Sequence, residues 1–265
     1  MKTVTFGTAV ILAIAGFALS ASFARNADVP ASTRVPVLAE LFTSEGCSSC
    51  PPADDLLRRL ITDQPVEGVE VVGVSEHVDY WNRLGWKDPF SSSRFSERQH
   101  EYAKAFGTDR VYTPQLVVDG RVEVVGSDWP AVRRAIAGAA RTGHATLTVA
   151  ASRLANARSV SIRVEIDNLS HEAATGSVHV IVAVVEDDLT SSVLRGENAH
   201  RRLRHSAVVR SLESIATLAK GVTSGEFTRE LELDLAWGVD HLRAIAFLQD
   251  ARTRHVVGVG TTSIR

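Results

Sequence analysis

The sequence predicts an α/β domain followed by an all-β domain. Three observations lead there. Strand-like and helix-like apolar patterns alternate from Val35 to Arg141. Beyond Gly143 they give way to short runs of period two separated by turn residues. The two cysteines of the chain, Cys47 and Cys50, fall where the first strand hands over to the first helix. A chain of 265 residues that is 45% hydrophobic and 23% charged is ordinary globular material, which excludes wholesale disorder. Its 29 basic and 31 acidic residues give a net charge of -2, so no nucleic-acid partner is expected. Two cysteines also exclude a disulfide-rich scaffold.

Residues 1–24 read as a signal peptide. Lys2 supplies a positive start, Val4 to Leu19 an apolar run, and Ser20, Ala21, Ser22 and Ala24 the small residues before a cut. Thr5, Gly7, Thr8 and Gly16 interrupt that run, which falls short of the roughly 20 residues of a membrane span. The expectation is a periplasmic or secreted protein with no membrane span in the mature chain.

The α/β domain is expected over residues 35–143. Val35–Phe42 reads as a buried strand. Pro51–Ile61 reads as a helix, with prolines in its first turn, Asp54 and Asp55 near its positive end, and Leu56, Leu57, Leu60 and Ile61 on one face. Val69–Val74, continuous in Val and Gly apart from Glu70, suits a second strand buried on both faces. An aromatic loop from His77 to Phe90 leads to a helix around Arg94–Phe106. Pro114–Val118 and Val122–Val125 flank the turn Asp119–Gly120 as a hairpin, and Asp128 caps a last helix with Pro130 near its start.

The all-β domain is expected over residues 145–265. Leu147–Ala151, Val160–Ile166, Val178–Val185, Phe227–Leu235, Leu242–Leu248 and Val256–Thr261 read as strands. Their number and spacing suggest an immunoglobulin-like sandwich of roughly seven strands. Arg195 to Arg210, with Arg201, Arg202, Arg204, His200 and His205, reads as a solvated loop or strand face.

Cys47 and Cys50 carry the chemistry. Unpaired amides and the dipole at a helix start favour a thiolate, so Cys47 is expected to be the exposed nucleophile and Cys50, one turn on, the resolving thiol. A disulfide between them closes a very short loop and removes little unfolded-state entropy, which makes it a poor staple. Glu45 opposes the dipole by raising the thiol pKa. Thr113–Pro114 opens a strand facing the cysteines, and its proline is compatible with either peptide isomer. A structural disulfide is the alternative reading of the pair.

Residues 39–54, Ala-Glu-Leu-Phe-Thr-Ser-Glu-Gly-Cys-Ser-Ser-Cys-Pro-Pro-Ala-Asp, resemble the signature of a secreted thioredoxin-like family labelled domain of unknown function 1223. The runs His77-Val-Asp-Tyr-Trp, Leu84-Gly-Trp-Lys-Asp-Pro-Phe and Tyr112-Thr-Pro-Gln-Leu-Val-Val-Asp-Gly are similar to it too. The resemblance covers most of residues 35–260. It implies a thioredoxin-like fold for the α/β domain and a cis Pro114, and it supplies no reaction. Gly46 before Cys47 and the prolines after Cys50 differ from typical thioredoxins.

The expected activity is thiol–disulfide exchange with an extracytoplasmic protein partner. Cys47, Cys50, Thr113 and Pro114 form the catalytic set, and no cofactor is expected. Two readings compete. One is a non-catalytic binding module with a structural disulfide. The other is copper binding or delivery by Cys47, Cys50 and His77, by resemblance to copper-delivering proteins that use two cysteines and a distant histidine. Glu76 and Asp79 are candidate proton acceptors. Tyr80, Trp81, Trp86 and Phe90 form either a local core or an apolar platform for a substrate.

Overall fold

Val35–Thr43 carries apolar residues on both faces, which suits a strand covered on both sides. In the computed structural model, which describes residues 34–154, 158–170 and 176–265, it is strand β1. The expected signal peptide lies outside the described residues. Helix α1 (Pro51–Asp63) follows, with its two prolines at the first helical positions, and then β2 (Val69–His77), parallel to β1. A 3-10 turn at Asn82–Leu84 leads to α2 (Ser93–Ala105), capped by Ser92, whose hydroxyl accepts from the Arg94 N–H. β3 (Gln115–Val118) and β4 (Val122–Val125) form the expected hairpin, and Asp128 caps α3 (Trp129–Ala139).

Nine more strands follow: β5 (Thr146–Arg153), β6 (Ser159–Asp167), β7 (Val178–Glu186), β8 (Leu189–Ser192), β9 (Arg202–His205), β10 (Val208–Leu218), β11 (Gly225–Glu232), β12 (Leu242–Asp250) and β13 (Val256–Ser263). Three of these, β8, β9 and β10, have no counterpart among the strands expected from the sequence.

The expected fold class, an α/β thioredoxin-like domain followed by an all-β immunoglobulin-like sandwich, is corrected by the sheet topology. Strands from both segments share one mixed eight-stranded sheet, in the order β13-β12-β7-β10-β2-β1-β3-β4. The splice is β10. It lies parallel to β2 at Val208–Ser75, where the Ser75 N–H donates to the Ala207 carbonyl at 2.7 Å, and antiparallel to β7 along its length. The physical reason lies in β2. Apolar on both faces, it would otherwise present an open row of backbone donors and acceptors, and β10 covers that edge. A second sheet, β11-β6-β5, and the β8–β9 hairpin complete the β structure.

The core follows the same plan. Val37, Ala39 and Leu41 of β1 and Val69 and Val71 of β2 pack with Leu57 and Leu60 of α1 and Val132 and Ile136 of α3. The opposite face presents Leu38, Val72 and Val74, with Phe95 of α2. Alternate residues divide β7 likewise. Val178, Val180, Val182 and Val184 meet Val160, Ile162 and Val164 of the small sheet, while Ile181, Ala183 and Val185 turn to the side of α2. Buried side chains of this size contribute about 1.5–3 kcal/mol each. Among the described residues, no helix is long and apolar enough to cross a membrane.

Candidate functional site: a covered Cys-Ser-Ser-Cys disulfide

β1 ends at Thr43, and the turn from Ser44 to Cys50 brings the two cysteines together. They are joined as a disulfide, with Cα atoms 5.4 Å apart. Cys50 caps α1. Pro51 and Pro52 have no N–H, and the next two amides, of Ala53 and Asp54, donate to the Cys50 carbonyl at 2.8 and 3.1 Å. The free amides expected to favour a Cys47 thiolate at this helix start are therefore missing or engaged. The Ser49 hydroxyl lies 3.3 Å from Cys47 Sγ and is the donor there, since a disulfide sulfur carries no proton.

The sequence led to an exposed Cys47, and the structure corrects this: both cysteines have 0% exposure, while Ser48 and Ser49 between them face solvent. The cover comes from the segment linking β8 to β9. Asn198, itself fully buried, donates from Nδ2 to the carbonyls of Glu45 and Cys47, both at 2.9 Å. The Ser48 N–H donates to the Glu197 carboxylate at 3.0 Å. Asn198 Oδ1 in turn accepts from Arg201 at 2.9 Å, so its amide is satisfied on both sides.

The expected partners of the cysteines are placed as follows. The Thr113–Pro114 peptide bond is cis, and the Thr113 carbonyl oxygen lies 3.9 Å from Cys47 Sγ. Trp81 fixes Thr113 by donating from Nε1 to its hydroxyl at 2.8 Å. Trp86 donates to the Glu45 carboxylate at 2.7 Å. Both indoles thus anchor the site, which agrees with a local core for the aromatic loop. Glu45 is buried, and its other oxygen is 3.1 Å from His205 Nε2.

His77 points to the same side. Its Nδ1 is 2.7 Å from Asp88, whose carboxylate also accepts the N–H groups of Glu45 and Phe90. Burial pushes Asp88 up, but the charge and hydrogen bond of His77, with those two amides, outweigh it and hold the carboxyl below its ordinary value. The rings of His77 and His205 meet edge to face, 4.9 Å between centroids. Among the described residues, no group of three or more His, Cys, Asp or Glu side chains is arranged to hold a metal. Glu76 turns the other way, because successive strand residues face opposite sides, and joins Arg98 of α2 and Glu40. Asp79 accepts from the Ser96 hydroxyl instead of approaching the sulfurs.

Asp54, Asp88, Glu197, Asn198 and His205 belong to the site without having been legible as such. Asp54 is buried in the first turns of α1, where it accepts from the Thr43 hydroxyl at 2.8 Å and lies 3.9 Å from His205. Burial, only partly offset by His205 and that hydroxyl, pushes its carboxyl up to about 7. For His205 the signal was present, in the basic run that read as solvated. Asn198 gives no local signal, being 151 positions from the carbonyl it holds.

Fold and site define a class: a β-rich protein with one mixed sheet, carrying a Cys-x-x-Cys disulfide between a strand and a helix under a covering loop. The chain belongs to the family described as protein of unknown function (DUF1223), whose family model matches residues 38–249. It is similar to the crystal structure of protein AGR_C_4864 from Agrobacterium tumefaciens, with 28% identity and a TM-score of 0.67, over 87% of this chain and 95% of that one. The fold also resembles that of HBP35 of Porphyromonas gingivalis, with 14% identity and a TM-score of 0.63, over 88% of this chain and 76% of that one. No curated protein matches the sequence.

Proposed function

We propose that the protein exchanges its Cys47–Cys50 disulfide with thiols of an extracytoplasmic protein, reached through the signal peptide of residues 1–24. The observation that carries this reading is the disulfide itself. It spans three positions at a strand–helix junction, where it constrains the unfolded chain little and leaves its two sulfurs side by side. A partner thiolate attacks Cys47 Sγ, the S–S bond breaks, and Cys50 leaves as a thiolate. A second partner thiolate then attacks the mixed disulfide at the partner's sulfur and expels Cys47. The partner loses two electrons to form a disulfide, and Cys47 and Cys50 gain them; the reverse sequence reduces a partner disulfide. Asp54, protonated up to about pH 7 and one turn beyond Cys50, adds a buried proton source to the neighbourhood.

Burial of both cysteines favours the second reading, a structural fastener that secures the covering loop in a non-catalytic binding module. One experiment separates the two. Cys50→Ala, expressed in the exporting cell, should accumulate covalent adducts through Cys47 that dithiothreitol releases, whereas Cys47→Ala should not. A Cys50→Ala protein free of adducts would leave the fastener in place.

A further inference from the structure

Beside the exposed Ser48 runs a groove of about 630 Å³, lined by Ser48, Pro51, Pro52, Asp55 and the arginines of the β8–β9 hairpin. Its two walls differ in charge. On the helix side, Pro51 and Pro52 contribute no donors, Asp55 faces Arg58 at 3.4 Å, and Asp54 carries its proton into the neutral range. On the hairpin side stand Arg201, Arg202 and Arg204, all exposed. Arg201 is oriented by Asn198, the residue that also holds the Cys47 carbonyl. Arg202 and Arg204 have no acidic partner among the described residues. The two lie on the outward face of β9, with Leu203 and His205 turned inward between and after them. Residues two apart on a strand stand about 6.5–7 Å apart. That spacing matches alternate side chains of a second extended chain, and guanidinium forks pair with carboxylates in preference to other donors' partners.

We infer that this groove is the docking surface for an extended, acidic segment of the polypeptide whose thiols or disulfide the Cys47–Cys50 pair exchanges, an inference that rests on the exchange reading. The acidic side chains pair with Arg202 and Arg204, the intervening ones face Pro51 and Pro52 across the groove, and the docked chain runs past Ser48 towards the covered sulfurs. Arg201 joins recognition to cover, since it donates to the same Asn198 whose amide closes over Cys47. A carboxylate that competes for Arg201 draws on the contact that orients that amide.

The test uses two labelled peptides that differ only in alternate Glu or Gln residues, each made with a cysteine and with serine in its place. Binding of the serine forms, followed by fluorescence anisotropy, needs no exchange. The Glu peptide should bind at least about tenfold more tightly at low salt, an advantage that falls steeply with ionic strength. Changing Arg201, Arg202 and Arg204 together to Gln should abolish the preference, and changing them to Lys should retain most of it. Equal binding of the Glu and Gln peptides, or a preference that survives the Gln substitutions, would overturn the docking surface. Full competition by inorganic phosphate at equal charge would also overturn it, by marking a small-anion site. The cysteine peptides, supplied as disulfides with a small thiol and offered to Cys50→Ala so that the mixed disulfide formed at Cys47 with release of the small thiol persists, report on exchange separately. Acidic preference without mixed disulfide would sink the exchange reading alone, and mixed disulfide formed equally with both peptides would sink the docking surface alone.

Discussion

At the scale of single residues, the site is organised around Asn198 and Asp54. Asn198→Ala leaves the buried carbonyls of Glu45 and Cys47 without their donor. An unsatisfied buried group of this kind costs about 1–3 kcal/mol, so the urea midpoint should fall and dithiothreitol should reduce the disulfide several-fold faster. Unchanged reduction kinetics would show that Asn198 does not control access. Asp54 makes a prediction with a sign. Its carboxyl ionises near 3.8 when unfolded and about 7 when folded. Below the lower value both states are protonated and nothing is lost. As pH rises between the two, only the unfolded state releases a proton, so stability falls, by at most about 1.4 kcal/mol per pH unit, and levels off above the upper value. Asp54→Asn should remove that decline, and its stability relative to wild type should improve steadily from pH 4 to 7 in urea titrations. Parallel profiles for the two proteins would place the proton elsewhere. Of the site, the sequence made legible Cys47, Cys50, Thr113, Pro114 and His77, because they sit in short motifs beside predicted elements. Asn198 and Glu197 act through single hydrogen bonds from a segment distant in the chain, and no periodicity announces such a bond.

At the scale of elements, the lesson is β10. Its sequence, Val208–Leu218, mixes buried and half-exposed positions and carries two register shifts against β7, between Val209 and Ser211 and between Ser214 and Ala216. Each shift breaks the alternation by which a strand is recognised, so Arg210 and Glu213 look like loop residues. β7 was legible as a strand, but its unbroken apolar run marked a doubly covered interior strand more than a member of a two-sheet sandwich. The β3–β4 turn is a second junction between the two segments. Asp119 accepts the Leu38 N–H through its side chain and the Val256 N–H through its carbonyl. Gly120 beside it has φ +60°, and a Cβ there would come within 1.9 Å of the Arg254 carbonyl oxygen. Gly120→Ala combines a disfavoured backbone region with a clash against main chain, so a loss of roughly 2 kcal/mol or more is expected by chemical denaturation. A neutral result would mean that the two turns separate without penalty.

At the scale of the whole molecule, shared strands imply shared stability. The described residues from 34 onward form one compact unit. Three of the four tryptophans, Trp81, Trp86 and Trp129, lie in the first segment with the three α-helices, and Trp237 and nine of the strands lie after residue 143. Tryptophan fluorescence and circular dichroism should therefore report one coincident unfolding transition. Two separated transitions would restore the independent domains that the change of pattern near residue 143 suggested. The position of Asn198 in the chain has a temporal counterpart. Synthesis proceeds at about 5–20 residues per second, so the 151 positions between Cys47 and Asn198 correspond to about 8–30 s. During that interval the cysteine turn has been made while the residue that will seal it has not. Whatever meets the pair before residue 198 is in place meets it uncovered, and whatever meets it afterwards does so through the finished cover.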